Sequence, residues 1–288
     1  KAQMLKSRGY VVLPDPEDPV MIKAFENGSF REFERHSRVG MVTEKAFIDR
    51  VKYLREIGAK HVFLKTGAYR PIALAQAIKY ASKAKIDMLT VDAAGGGTGM
   101  SPWSMMNEWG VPPVELHSMV YRCADALAKK GEYVPDIAVA GGISFEDQMM
   151  KSLAMGAPYV KMIGMARAPL AAAMVGKTLG KRINERDFPV YVSRFGTTKE
   201  EIFVTGAHMK QKLGKDFDDL PASGLGLYTY IERLEQGLRQ IMAGSRKFSM
   251  EHISRDDIAA LTKEASEISG IPWIMDVDKD LVKKLLDA

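Results

Sequence analysis

Four short apolar segments alternate with amphipathic helical patterns along residues 43–180. The apolar segments, which we predict to be strands, lie at 61–65, 88–93, 136–140 and 159–163. Helices are predicted to begin near Thr43, Pro71, Pro113, Ser144 and Pro169, with Thr43 and Ser144 as N-cap candidates. Apolar strands that alternate with helices are typical of a parallel sheet covered by helices. The sequence therefore predicts an α/β fold.

Residues suited to ligand binding follow each of these predicted strands. Lys65 ends the first, a glycine run from Gly95 follows the second, Gly141-Gly142 follows the third, and Gly164 follows the fourth. Open α/β sheets and eight-stranded barrels both place their sites at the carboxyl ends of the strands, so both architectures fit. Four strand-helix units cannot close a barrel of eight. A barrel would need its other half from upstream sequence or from another subunit.

Residues 1–42 are expected to form an extended N-terminal segment with mostly irregular structure. The proline-rich stretch 14–19 cannot sustain a helix and is predicted to be a surface loop. The sequence begins at Lys1 rather than at a methionine, which suggests a truncated or processed product.

Residues 181–288 are expected to form a mainly helical C-terminal extension. A short strand or extended stretch is predicted at 188–195. Helical patterns follow at 199–212, 227–243, 255–269 and 278–286.

Charge and cysteine content exclude several classes of protein. The 41 lysines and arginines are interspersed with 36 acidic residues, a pattern that favours small anionic ligands and argues against nucleic acid. Cys123 is the one cysteine, so disulfides within the chain and cysteine-ligated metal clusters are excluded, and a reducing, cytoplasmic location fits. No apolar run reaches the roughly 18 residues of a membrane helix. The histidines show no metal-ligand spacing.

Glycines after three of the predicted strands are candidates for binding a phosphate. The run Gly95-Gly96-Gly97-Thr98-Gly99 would let backbone amides approach a ligand without interference from Cβ atoms. Gly141-Gly142, and Gly164 with Arg167, could bind an anion through free amides, a helix N-terminus and a guanidinium. The alternative is that these glycines only permit flexible connections and tight turns.

Lys65 is the candidate for a functional cation. A buried strand seldom ends on a lysine without a partner, so its ammonium could face a flavin ring edge or a carboxylate substrate. The alternative is a lysine that extends to solvent at the edge of the sheet.

Several of these motifs, in this order, resemble the FMN-binding synthase domain of glutamate synthases. They are similar to that family's G-G-T-G-A-[SA]-P, G-x-P-x-E, G-G-[LI] and L-G-A…G-x-A-P-L segments, and Lys65 stands at the lysine of its V-K-L strand. The resemblance covers about Val62 to Val175. It is carried by Gly96-Gly97-Thr98-Gly99-Met100-Ser101-Pro102, Gly110-Val111-Pro112, Glu115, Gly141-Gly142-Ile143, Met155-Gly156-Ala157, Gly164, Ala166, Pro169 and Leu170.

The resemblance implies a TIM-type (β/α)8 barrel that binds FMN, with the four units as strands five to eight. The implied reaction adds ammonia to 2-oxoglutarate and reduces the resulting imine with a hydride from the flavin. A lysine near the pyrimidine edge of the ring would stabilise the anionic reduced flavin. The residues that would face the flavin and substrate are Lys65, Gly95, Gly96, Gly97 and Thr98, and those that would hold the phosphate are Gly141, Gly142, Gly164 and Arg167.

Departures from the family pattern favour a divergent, stand-alone member. Gly95 and Ala140 replace two acidic residues of the family. The cysteines for an iron-sulfur cluster and the glutamine-cleaving domain are missing, which implies an external electron donor.

The alternative function is a non-catalytic barrel segment that binds a phosphate ligand or a partner. A relative of IMP dehydrogenase ranks lower because its catalytic cysteine loop is not seen. An oligomer, or association with the missing half of the barrel, is expected.

Overall fold

The computed structural model describes residues 1–36, 43–67, 70–96 and 108–288, apart from the side chain of His36. The chain divides into two units, residues 1–137 and 138–288. The predicted site residues Gly97 and Thr98 lie outside the described residues.

The N-terminal part of the first unit has more regular structure than the sequence predicts. It contains α1 (Ala2–Ser7), β1 (Val11–Leu13), α2 (Pro19–Glu26) and β2 (Glu34–His36), with β1 and β2 antiparallel. The expectation of mostly irregular structure is therefore wrong for this segment. One reason is Asp18, whose carboxylate accepts a hydrogen bond from the Val20 N–H and so starts α2, with Pro19 in the first turn.

The rest of the first unit follows the predicted order of helices and strands. It contains α3 (Glu44–Glu56), β3 (Phe63–Gly67), α4 (Pro71–Lys83), β4 (Met88–Asp92) and α5 (Pro113–Ala128). The Thr43 hydroxyl accepts a hydrogen bond from the Ala46 N–H, which confirms the predicted N-cap of α3. Phe47, Val51 and Ile86 belong to a buried apolar cluster beneath these elements.

Strand β3 runs two residues further than predicted. It pairs parallel with β4, and Thr66 and Gly67 lie opposite Val91 and Asp92. Lys65 therefore lies in the middle of β3, and the prediction that it ends the strand is wrong. The ladder continues because backbone pairing with β4 is available to Thr66 and Gly67 whatever the local side-chain pattern.

The central sheet is completed by β5 (Asp136–Ala140) and β6 (Val160–Gly164). Its strand order is β3-β4-β5-β6. The predicted α/β class with a parallel sheet and many helices is thereby confirmed.

The second unit is mainly helical after β6, as predicted. It contains α6 (Glu146–Gly156), α7 (Arg167–Glu185), α8 (Val190–Ser193), α9 (Lys199–Ile202), α10 (Gly206–Leu213), α11 (Ala222–Gly244), α12 (Lys263–Ser269) and α13 (Lys279–Leu286). Single turns of 3₁₀ helix lie at 214–217, 250–252 and 255–257. Among the described residues, no helix combines the length and the apolar composition that crossing a bilayer demands.

Three local predictions in the second unit are wrong. Ser144 is not the N-cap of α6, because the helix starts one residue later, after Phe145. Helix α7 starts at Arg167 instead of Pro169. The stretch 188–195 contains the short helix α8 in place of a strand, and it has no neighbouring strand with which to pair among the described residues.

Glycines allow α7 and α11 to pack closely. A Cβ atom at Gly176 would lie 2.5 Å from the Ala222 carbonyl oxygen, and one at Gly226 would lie 2.8 Å from the Ala172 carbonyl oxygen. The glycines of the segment Ser223-Gly224-Leu225-Gly226 thus belong to a helix, and Gly226 serves helix packing.

Candidate functional site

Lys65 forms an ion pair with Asp92 across the two strands of the first unit. The Lys65 Nζ atom lies 2.7 Å from the Asp92 Oδ2 atom. Asp92 is only 6% exposed, whereas the Lys65 side chain is 48% exposed. A nearly buried carboxylate needs a charged or hydrogen-bonding partner, so Asp92 holds the Lys65 ammonium in place. The accessible half of the lysine can still contact an anion.

Asp92 is a site residue that the sequence analysis missed. It is the last residue of β4, and two residues separate it from the glycine run that begins at Gly95. The sequence signal that could have identified Asp92 is a carboxylate at the end of an apolar strand. Such a group is seldom buried without a function or a partner.

The first glycines after β4 turn the chain back over the Asp92 carboxylate. Gly95 has a φ of +80°, which side chains disfavour, and the Gly96 N–H donates to the Ala93 carbonyl oxygen at 2.9 Å. A Cβ atom at Gly96 would lie 1.8 Å from the Asp92 Oδ1 atom. Glycine at position 96 is therefore required for Asp92 to keep this position. Gly97 and Thr98 lie outside the described residues.

The loop after β5 in the second unit begins with two glycines in the left-handed region. Gly141 has a φ of +98° and is buried, and Gly142 has a φ of +77° and is exposed. Residues with a Cβ atom disfavour this backbone conformation. The exposed peptide groups around Gly142 can thus approach a ligand closely.

Gly164 lies at the end of β6, against the end of β5. A Cβ atom at position 164 would lie 2.8 Å from the Cβ atom of Ala140. The loops after β5 and β6 therefore leave the sheet from adjoining strand ends. Small residues at both positions keep these ends close together.

Arg167 is the first residue of α7, three residues after Gly164. Its side chain is exposed, and the N-terminus of α7 has no capping hydrogen bond from the Ala166 side chain. The first amides of a helix have no partners within the helix, and the helix dipole makes that end favourable for anions. The glycines, the free helix end and the guanidinium are together the chemistry that binds a phosphate group.

No cluster of metal-ligating side chains exists in the described part of the chain. Two buried polar atoms in that part have no hydrogen-bond partner: His117 Nε2 and Glu146 Oε2. His117 is on α5, away from the ligand-binding candidates in sequence, and burial lowers its pKa from 6.5 to about 4. Glu146 is the first residue of α6, which follows the Gly141-Gly142 loop.

A family model described as a conserved region in glutamate synthase matches residues 36–176. This range contains the four strands of the parallel sheet, Lys65 and Asp92, both described glycine loops, and Arg167. A search of curated proteins finds no match to the chain.

Proposed function

Residues 36–176 belong to the glutamate synthase family, and on that premise we propose that the chain is an FMN-dependent oxidoreductase that reductively aminates 2-oxoglutarate. Bound FMN would supply the hydride that reduces the imine of 2-oxoglutarate and ammonia. The residues of the chain would bind the phosphate group of FMN and present a cation to the reacting anions.

The phosphate group is assigned to the loops after β5 and β6 in the second unit. The main support for this proposal is that the two loops start at Ala140 and Gly164, which lie side by side at the ends of their strands. Peptide groups at Gly141 and Gly142 and the first amides of α7 would donate hydrogen bonds to phosphate oxygens. The Arg167 guanidinium would add charge-assisted hydrogen bonds.

Lys65 is assigned to charge stabilisation in the first unit. Asp92 holds its ammonium at 2.7 Å, so the cation has a defined position before any ligand binds. A substrate carboxylate, or the negative charge of a reduced flavin ring, would be stabilised by such a prepositioned cation. Gly95 and Gly96 form the start of the loop after β4, and Gly96 lies against the Asp92 carboxylate of this pair.

An external protein or small molecule is proposed to donate the electrons. Cys123 is the one cysteine in the sequence, and a cysteine-ligated iron-sulfur cluster needs several. Electrons would therefore reach the flavin without a cluster in this chain.

FMN binding to the purified chain tests the proposed function directly. We expect a yellow protein or one that becomes yellow with added FMN, and we expect Arg167→Ala to weaken FMN binding by about tenfold through the loss of a charge-assisted contact. Fluorescence titration of FMN measures both affinities. Lys177→Ala is the matched control, because it removes an exposed positive charge from the same helix and should leave FMN affinity unchanged.

A colourless chain that does not take up FMN would overturn the assignment and would favour a non-catalytic binding segment. Equal losses of affinity in the Arg167 and Lys177 variants would show that only net charge matters, which would remove Arg167 from the site.

The parallel sheet is proposed to form half of a (β/α)8 barrel whose other strands come from another chain or fragment. The strand order leaves β3 and β6 at the edges among the described strands, and Phe63 on β3 is 60% exposed. Unpaired strand edges favour association with further strands. We expect light scattering of the purified chain to give the mass of an assembly, and a stable monomer would contradict this expectation.

A further inference from the structure

Helix α11 contacts the loop that follows β5 through Tyr230. The Tyr230 hydroxyl donates a hydrogen bond to the carbonyl oxygen of Ser144, 86 residues earlier in the sequence. The tyrosine is half-buried, and both burial and the charge of Glu146 raise its pKa above the ordinary value. The phenol therefore keeps its proton near neutral pH and remains a hydrogen-bond donor.

The peptide group between Ser144 and Phe145 is held at both of its polar atoms. Its carbonyl oxygen accepts from Tyr230, and its N–H donates to the Gln148 Oε1 atom at 3.1 Å. The Ser144 N–H also donates to Gln148 Oε1, at 2.7 Å. Because a peptide group is planar, fixing both atoms fixes its orientation. This peptide lies two residues after Gly142, so it limits the conformations that the glycine loop can adopt.

A second contact joins the same face of α11 to the start of α6. Gly237 follows Tyr230 by seven residues, about two helical turns, so the two share a face of the helix. A Cβ atom at Gly237 would lie 2.5 Å from the Glu146 Cγ atom, so the two helices approach closely there. Leu234, between them on this face, is 3% exposed. Helix α11 is thus packed firmly where it contacts the loop.

We propose that Tyr230 is a positioning residue that holds the loop after β5 in the conformation that binds the phosphate group of the flavin. This role rests on the proposed function, and it extends the site to a helix beyond the family match, which ends at residue 176. Tyr230 acts through the Ser144 carbonyl and does not itself contact the ligand. Helix α11 would therefore support the phosphate site as well as extend the fold.

Substituting Tyr230→Phe and measuring affinity for FMN and for riboflavin tests this role. Riboflavin has the same ring without the phosphate, so it reports on everything except the phosphate contact. We expect FMN affinity to fall about three- to tenfold, the effect of one lost hydrogen bond, while riboflavin affinity stays constant. The Tyr228→Phe variant is the matched control, because the Tyr228 hydroxyl donates to Glu232 within α11 and does not reach the loop.

Each result separates the two proposals. FMN affinity unchanged in Tyr230→Phe, or equal losses for FMN and riboflavin, would overturn the positioning role and leave the proposed function standing. A wild-type chain that binds FMN no more tightly than riboflavin would overturn the phosphate site itself. Thermal unfolding of both variants provides the folding check, and a loss of FMN affinity without a matching change in the control supports the proposal.

Discussion

Acidification from about pH 7.5 to pH 4 should lower the free energy of unfolding by about 3 kcal/mol through His117 alone. His117 is 1% exposed, its Nε2 atom has no partner among the described residues, and burial lowers its pKa to about 4. Below about pH 6.5 the unfolded chain binds a proton at this histidine that the folded chain does not. The contribution of His117 to the free energy of unfolding is therefore fully present above about pH 6.5, and it is lost as the pH falls toward 4.

Urea unfolding at several pH values measures this effect. His117→Leu removes the titrating group, so its free energy of unfolding should depend less on pH than that of the wild type. Parallel pH profiles for the wild type and His117→Leu would contradict the prediction.

Two glycines near the start of α11 should differ in their tolerance of alanine. Gly226→Ala is expected to destabilise the chain by about 2 kcal/mol, because its Cβ atom would press on the backbone of α7 and overpack the helix crossing. The nearest atoms are the Ala172 carbonyl oxygen at 2.8 Å and the Gly176 Cα atom at 3.0 Å. These are backbone atoms, which cannot relieve the contact by changing rotamer as a side chain can.

Gly224→Ala is the matched substitution, two residues away on another face of the same helix. A Cβ atom there would meet only the Leu220 Cδ1 atom, at 3.7 Å, which is ordinary contact. Alanine is the better helix former by up to about 1 kcal/mol, so this variant should be as stable as the wild type or more so. Urea unfolding of both variants measures the difference. Equal stabilities of the two variants would show that α7 and α11 leave room for a methyl group at position 226.

The elements that the sequence predicts well are those with strong local signals. Strand β5 has the predicted bounds, and α3 starts after the predicted cap at Thr43. Pro71 and Pro113 open α4 and α5 as predicted. In each of these cases the deciding interaction lies within a few residues along the chain, as in a hydrogen-bonded cap or a proline at the first helical position.

Two of the mistaken predictions concern places where a distant partner decides the structure. Strand β3 extends past Lys65 because β4 pairs with its last two residues. The N-terminal strands β1 and β2 exist through pairing with one another, although each is only three residues long. Local propensity carries little information about such short strands.

The candidate site shows the same division. The sequence predicts the glycines and Arg167 as candidates because strand ends followed by glycine are recognisable motifs, and the family match includes them. The sequence does not predict Asp92 and Tyr230 as candidates. They become candidates through a contact with Lys65 in the neighbouring strand and through a contact with Ser144, which is far away in sequence.

By itself, the amino-acid order specified the alternation of strands and helices, the glycines after the predicted strands and the match of residues 36–176 to the glutamate synthase family model, because these depend on short-range periodicity and short sequence motifs. The partner of Lys65, the close approach of α7 and α11, and the anchoring of the loop after β5 emerged only in three dimensions. Each of these joins residues that are distant along the chain, and burial together with backbone spacing selects which of them meet.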